Sequence, residues 1–372
     1  MASEKKPNLG KAIVIGGCGF LGHHVVNLLL ERYTSEPSVI DLRCSVNRRP
    51  DSDGVNYFEA DITDADKMLS IFQKVKPDVV IHTASPAVQA TAKVADALFK
   101  KVNVDGTRVV VETCQKTGVK ALVYTSSASI LSNNKDDLIN ADERWPVIRG
   151  KDQTEYYSET KAEAEELVLK ANRDGSHKLL TAAIRPSGIV GEGDKMVLYH
   201  MVNILREKRS HWQIGENNNM FDFTYVVNVA HAHLLAARAL LHSSEANIMP
   251  LDHEKVDGEA FLITNDSPIY FWDFARVIWN EAGSEYGTDH VWVLPREVGL
   301  TLASLSELFY AIIRKSPTFT RQRVVYATMT RYYDISKAKR RLGYKPIVPL
   351  EDGLRRAVRW TLDQEKTAAI KK

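Results

Sequence analysis

The chain is poor in cysteine: Cys18, Cys44 and Cys114 are the full set, and no two stand in a CxxC pattern. That argues against a disulfide scaffold and a zinc ribbon, fits a reducing compartment, and leaves no metal site to expect. Internal repeats, low-complexity tracts and an obvious linker are also missing, so one compact unit is expected. Mean hydropathy is −0.25, with 44% hydrophobic and 26% charged residues, which excludes a polytopic membrane protein and a disordered chain alike. The opening MASEKKPNLG enters a β-like run with no apolar segment before it, so no signal peptide is expected and the body should face the cytosol. An excess of one charge is absent overall, at +2, yet the charge is unevenly placed. From Arg314 to Lys372 sixteen lysines and arginines stand against five acids, leaving the preceding residues at −9. Such a tail suits an anionic surface or nucleic acid, or is a solvated basic face balancing an acidic body.

What is present is a rhythm. Over 372 residues, enough to bury a large sheet, short β-branched runs (KAIVIGG, SVIDLRC, VNYFEADI, DVVIHTAS, KALVYTSSAS, LLTAAIRPSG) alternate with helix-like stretches. Continuous apolar strands between helices predict an α/β fold, a doubly wound parallel sheet covered on both faces. After Gly191 the rhythm gives way to Asn-, Gly- and aromatic-rich segments. Residues 1–190 are therefore expected to form the nucleotide-binding sheet domain and 191–372 a smaller substrate-binding lobe.

The first strand ends in Gly16-Gly17-Cys18-Gly19-Phe20-Leu21-Gly22, a GxxGxxG spacing at a strand-to-helix junction. Glycines there allow a tight turn and close backbone approach to a pyrophosphate, whose charge then meets the positive end of a helix. Asp41 closes the second strand nineteen residues past Gly22, where an acid would bind the adenosine ribose hydroxyls. A carboxylate repels a 2′-phosphate, so NAD is expected over NADP, although Arg43 could pair with that phosphate. Asp61 and Ile62, ending the third strand, could flank the adenine; the alternative is an acid at a helix start.

Tyr157 and Lys161 lie four residues apart, on one face of a predicted helix. A cation beside a phenol favours the phenolate, so Tyr157 could take a proton from an alcohol as a hydride leaves its carbon. Tyr156 has the wrong spacing. Ser127 closes the fifth strand at the ligand-binding edge, where it could hold a substrate oxygen or serve only as a turn residue.

GxxGxxG, YTSSAS and YSETK together resemble the extended short-chain dehydrogenase/reductases, with their Rossmann sheet. The resemblance implies Ser127, Tyr157 and Lys161 as the catalytic set. It also implies that the segment His82–Pro86, with Ala84, runs past the cofactor, that Asn103 and Pro186 complete its nicotinamide side, and that His82 is scaffolding. The segments IGENNNMFDFTY, VNVAHAHLLAA and FLITNDSPIYFWDFAR more narrowly resemble the sterol-4α-carboxylate 3-dehydrogenases (decarboxylating) of fungal sterol C4 demethylation. That implies NAD-dependent oxidation of a 3β-hydroxyl with loss of CO2. A 3β-hydroxysteroid dehydrogenase/isomerase, a triterpenoid-oxidising relative and a non-catalytic dinucleotide sensor are the alternatives, and the intact Ser127, Tyr157 and Lys161 speak against the sensor. Expected partners are the sterol, a membrane surface, a sterol 4-methyl oxidase, a 3-ketosteroid reductase and a second copy of the chain, but not nucleic acid.

The run Val298–Ile313 has sixteen residues, about 24 Å as a helix against about 30 Å of hydrocarbon, and contains Glu307. Too short and too polar to span, and followed by Arg314, Lys315 and the basic tail, it predicts peripheral or monotopic attachment to the endoplasmic reticulum membrane, the body cytosolic. The competing expectation is a helix buried in the second lobe.

Overall fold

The computed structural model describes residues 6–86, 92–175, 177–246, 250–313, 315, 317 and 319–370. Its centre is a seven-stranded parallel sheet built from β1 (Asn8–Ile15), β2 (Thr34–Asp41), β3 (Asn56–Glu59), β4 (Val79–His82), β5 (Ala121–Thr125), β6 (Leu180–Pro186) and β7 (Glu259–Ile263). The spatial order is β7-β6-β5-β4-β1-β2-β3. Side chains alternate across a strand, and both faces of β1 are covered: Val14 joins one apolar cluster while Ile13 and Ile15 join the other. On Val14's side lie α1 (Phe20–Arg32) and α5 (Val226–Glu245); on the other lie α2 (Ala65–Val75), α3 (Thr107–Thr117) and α4 (Tyr156–Lys170). The doubly wound layout expected from the alternating runs is the observed one. The order reverses between β1 and β4, and the carboxyl ends of those strands open the crevice in which such sheets bind ligands.

The boundary expected at residue 190 does not follow the layers. Both α5 and β7 lie beyond it, yet β7 extends the sheet by parallel pairing with β6, Glu259 opposite Ala182 through to Ile263 opposite Pro186. In the other direction, Leu138–Ala141 leaves the first half to form one edge of the lobe's four-stranded sheet, beside Arg331–Tyr333, Met220–Phe221 and Ile269–Tyr270. Backbone pairing, which residue composition does not report, decides where each segment belongs.

The lobe core is aromatic. Phe223 stacks on Phe274 of α6 (Phe271–Glu281), with ring centroids 3.5 Å apart, and Phe221, Phe271 and Trp279 pack around them. Further along come α7 (Arg296–Ile312), α8 (Arg321–Thr328) and α9 (Leu350–Ile370). Against the buried-helix expectation, α7 turns only Gly299 and Ala303 fully inward. Val298, Leu302, Leu305, Leu308, Phe309 and Ile312 are exposed, Ile312 at 73%. Glu307 does not break this face alone: it accepts from the Arg321 backbone N–H at 2.8 Å and from its guanidinium at 2.7 Å. Among the described residues no helix is long and apolar enough to cross a membrane. Arg314 lies outside the described residues.

The glycine turn shows why its spacing matters. Gly16 has φ +79°, and a Cβ there would come within 2.7 Å of the Ala84 nitrogen; a Cβ on Gly22 would come within 2.0 Å of the Gly16 carbonyl oxygen. Gly22→Ala must therefore push β1 and α1 apart. It is expected to cost about 1–3 kcal/mol of stability in urea unfolding and to weaken dinucleotide binding in a fluorescence titration.

Candidate active site

Helix α4 carries Tyr157 on its inner face and Tyr156 outward, the latter 39% exposed. Its next two turns place Lys161 and Glu165 in line with Tyr157, all at i, i+4 spacing. Lys161 is buried, its ammonium donating to the Thr125 carbonyl at the end of β5 and lying 4.6 Å from the centre of the Tyr124 ring. Burial pushes its pKa down to about 7, with the Glu165 carboxylate opposing the fall. Glu165 is itself held by Arg185 of β6, through contacts of 2.9 and 2.5 Å. Desolvation pushes the Tyr157 phenol up to about 12, while the Ser127 hydroxyl beside it works in the other direction. The ring of Phe99 stands edge-on to Tyr157 at 5.6 Å. The fold thus gathers Ser127, Tyr157 and Lys161 at the carboxyl edge of the sheet.

Supports arrive from several strands. Thr125 bonds His233 of α5 at 2.7 Å, and the other ring nitrogen of that histidine meets the Val229 carbonyl at 2.8 Å. A nitrogen facing a carbonyl must carry the proton, so the Thr125 hydroxyl donates to the other. Asn103, in a π-helical turn, donates to Thr160 at 3.0 Å and accepts from Ser85 at 2.9 Å, which pins the loop after β4 to the helix bearing Tyr157. His82 is fully buried, bonded to Thr107 at 3.0 Å and pushed down to about 3 by that burial, in keeping with a scaffold. Pro186 ends β6 as a buried residue.

At the nucleotide end, Ala84 abuts Gly16, and Gly19, Phe20, Leu21 and Gly22 open α1. That helix has no side-chain cap and no acid in its first turn, so neither would compete with an anion for its leading N–H groups. Asp41 stands at the end of β2, one oxygen accepting from the Cys18 N–H at 3.0 Å. A glycine turn, an uncapped helix start and an acid at the second strand end fit a dinucleotide. Asp61 accepts from both the N–H and hydroxyl of Thr63, at 2.9 and 2.8 Å, and faces Lys101 at 3.3 Å. The acid at the start of α2 is Asp64, whose side chain accepts from the Lys67 N–H at 3.0 Å. Ile62 is buried against Gly106.

Sequence reasoning missed Arg331. Counted there within the basic tail, it lies buried in the lobe sheet, 8% exposed. Its Nε donates to the Tyr333 hydroxyl at 2.7 Å, and Phe221 lies 5.9 Å from the guanidinium. Among the described residues no carboxylate is within ion-pair distance of it; the Glu155 field reaches both Arg331 and Tyr157. Its sequence signal is slight: one cation in a TRYYD run amid many surface cations.

A family model described as the 3-beta hydroxysteroid dehydrogenase/isomerase family matches residues 13–296. The chain belongs to that family. Within the 3β-hydroxysteroid dehydrogenase family it is similar to the sterol-4-alpha-carboxylate 3-dehydrogenase, decarboxylating, of Schizosaccharomyces pombe, 40% identical over 95% of this chain and 98% of that one. The human protein of the same name is 36% identical over 94% and 87% of the two chains. Among solved structures, UDP-glucose 4-epimerase from Thermotoga maritima shares the fold at TM-score 0.69 and 22% identity, over 95% of this chain and 99% of that one. The Bordetella bronchiseptica enzyme WbmH, solved with NAD+, does so at TM-score 0.68 and 17% identity, over 95% and 98%.

Glu165 neutralises charge that would otherwise be stranded in the core. Glu165→Gln is expected to lower stability by about 3–5 kcal/mol in denaturant unfolding, and replacing Glu165 and Arg185 together by Met to recover most of that loss.

Proposed function

We propose that the chain is an NAD-dependent sterol-4α-carboxylate 3-dehydrogenase, which oxidises the 3β-hydroxyl of a 4α-carboxysterol and releases the carboxylate as CO2. The observation that carries this substrate is Arg331: a buried guanidinium whose side-chain partner is a neutral phenol is costly unless an anion completes it. A substrate carboxylate at C4 supplies that anion while the neighbouring C3 hydroxyl faces Tyr157. Relatives bearing that enzyme name, at 36–40% identity, support the same substrate.

Tyr157, as phenolate, takes the hydroxyl proton, and the Lys161 ammonium stabilises that phenolate. A dinucleotide held on the glycine turn would supply the acceptor for the hydride leaving C3. Its pyrophosphate would lie on Gly16, Gly19 and Gly22 and its adenosine ribose against Asp41, which disfavours a 2′-phosphate and supports NAD over NADP. Oxidation leaves a ketone β to the carboxylate; the C4–CO2 bond breaks and its electron pair moves into the C3 carbonyl. Tyr157 and Ser127 donate hydrogen bonds to the resulting enolate oxygen, and a proton returned to the substrate gives the ketone.

The test follows NADH and CO2 together, with NAD and NADP side by side. Tyr157→Phe is expected to lower kcat roughly 10²–10⁴-fold with unchanged NAD affinity. Arg331→Met is expected to cost about 2–5 kcal/mol in kcat/KM for the carboxysterol and little for the same sterol without its carboxylate. Equal loss on both sterols would remove the assignment of Arg331, and faster turnover with NADP would reverse the cofactor preference.

The exposed row on α7 supports attachment to the cytosolic face of the endoplasmic reticulum membrane. Beside the apolar row, the exposed rings of Trp212 and Trp292 lie 6.0 Å apart, aromatic groups of the kind that sit at the bilayer interface. Helix α8, on which α7 packs, reaches the catalytic helix through a bond of 2.5 Å from Gln322 to Glu155. A sterol leaving the bilayer there would enter beside Tyr157, and the same surface would bring the chain near the methyl oxidase and ketosteroid reductase expected as partners. Flotation with anionic vesicles should carry the intact protein upward, while the triple substitution Leu305→Ser, Phe309→Ser and Ile312→Ser leaves it at the bottom. An intact protein that stays at the bottom overturns the attachment.

A further inference from the structure

The lobe holds a cavity of about 420 Å³, a size that suits a small ligand, and none of its lining residues takes part in the proposed reaction. It lies between the turn that follows the helix Val197–Arg206, the C-terminal half of α6 and the start of the strand Trp292–Leu294. Its walls are aromatic. Trp279 is buried and its indole N–H is spent on the Met201 carbonyl at 2.9 Å, so what it offers the cavity is ring surface. Tyr286 and Trp292, 70% and 64% exposed, line the solvent side.

Two charges border the same space without meeting. Lys208 leaves the helix in a left-handed turn, φ +54°, and among the described residues its ammonium has no hydrogen-bond or ion-pair partner. The Asp289 carboxylate is likewise unpaired among the described residues. A third charge is fixed in the wall: Arg276 donates to Asp273 at 2.8 Å and to Gln213, which holds its guanidinium still. A cation and an anion that share a cavity yet form no ion pair suit a ligand carrying both signs at separate points. The rings narrow its positive end. A primary ammonium is strongly hydrated and needs oxygen acceptors, whereas a quaternary ammonium has no N–H to satisfy and is bound by aromatic faces. The negative end then meets Lys208 with the Arg276 fork behind it, donors that suit phosphate oxygens.

We propose that this cavity binds the phosphocholine headgroup of a membrane lipid, its quaternary ammonium among Trp279, Tyr286, Trp292 and Asp289 and its phosphate on Lys208 and Arg276. The strand Trp292–Leu294 pairs with Trp212–Ile214, and α7 packs on that pair: a Cβ added at Gly299 would stand 3.5 Å from the Ile214 side chain and 3.6 Å from that of Leu294. The cavity and the exposed apolar row of α7 are therefore neighbours, and a lipid whose headgroup fills the first can lay its acyl chains along the second. The headgroup site rests on the attachment of α7 to a membrane for its source of lipid. It adds what an apolar row lacks, a polar contact that selects one headgroup from a bilayer.

The experiment is a calorimetric titration of the intact protein with dihexanoylphosphatidylcholine kept monomeric, below its micelle concentration. Saturable binding is expected, with the phosphatidylglycerol and phosphatidylethanolamine of the same chains at least about 5-fold weaker. Trp292→Leu is expected to weaken binding roughly 5–30-fold, and Lys208→Ala and Asp289→Asn roughly 2–5-fold each, while all three variants keep NADH formation from detergent-dispersed 4-carboxysterol. Water-soluble glycerophosphocholine should bind less tightly than the lipid, having no chains to lay on α7. An absence of saturable heat, equal binding of the phosphatidylglycerol, or unchanged affinity in the three variants overturns the headgroup site. Glycerophosphocholine binding as tightly as the lipid overturns its membrane source. Failure of the α7 attachment looks different: the intact protein then stays at the bottom in flotation while the monomeric lipid still binds, and the headgroup site stands.

Discussion

Much of this structure is organised around one unfavourable act, the burial of the Lys161 ammonium under the carboxyl edge of the sheet. A charge taken out of water must be matched locally or it is lost. The Thr125 carbonyl, the face of Tyr124 and the Glu165 carboxylate supply the match, and Glu165 is in turn fixed by Arg185 from the next strand. The consequence is chemical as well as structural. An ammonium in a dry site acts on a neighbouring phenol far more strongly than one in water, and Tyr157 stands one helical turn away.

The exchange of segments between the two halves serves the same centre. Because β7 returns to the sheet, β6 is an interior strand, and Arg185 can hold Glu165 away from solvent. Because Leu138–Ala141 leaves for the lobe, Arg331 pairs with Leu138 of the first half and lies within reach of the Glu155 charge. A lobe joined by one linker could swing; two crossings in opposite directions tie the halves together through paired backbone.

What could be read from the sequence follows from the range of the interactions. The glycine turn, Asp41, and Tyr157 with Lys161 are each defined by neighbours within about one βα unit, and their spacing alone carries the geometry. The alternation of strands and helices is equally local, so the sheet was legible. Arg331 is an ordinary residue whose setting comes from partners far along the chain, such as Phe221. An arginine in a basic tail and an arginine in a core have the same letter. The face of α7 failed to resolve for a related reason: an apolar stripe shows that a helix has one side unlike the other, not what covers it.

Arg331 and Lys161 stand at opposite ends of the reacting fragment on this reading, and decarboxylation moves charge between them. Before CO2 leaves, the negative charge rests on the C4 carboxylate beside Arg331; afterwards it rests on the C3 oxygen beside Tyr157, Ser127 and, behind them, Lys161. An ion pair too tight at the first end would stabilise the starting carboxylate and slow its loss, since only interactions stronger in the transition state accelerate a step. The structure moderates that end: the Arg331 guanidinium already donates to Tyr333. At the other end the donors are aimed where charge develops, and the ammonium behind them is drier. Binding is assigned to one cation and acceleration to the other, so a single cleft can oxidise C3 and release the carboxylate at C4 in succession.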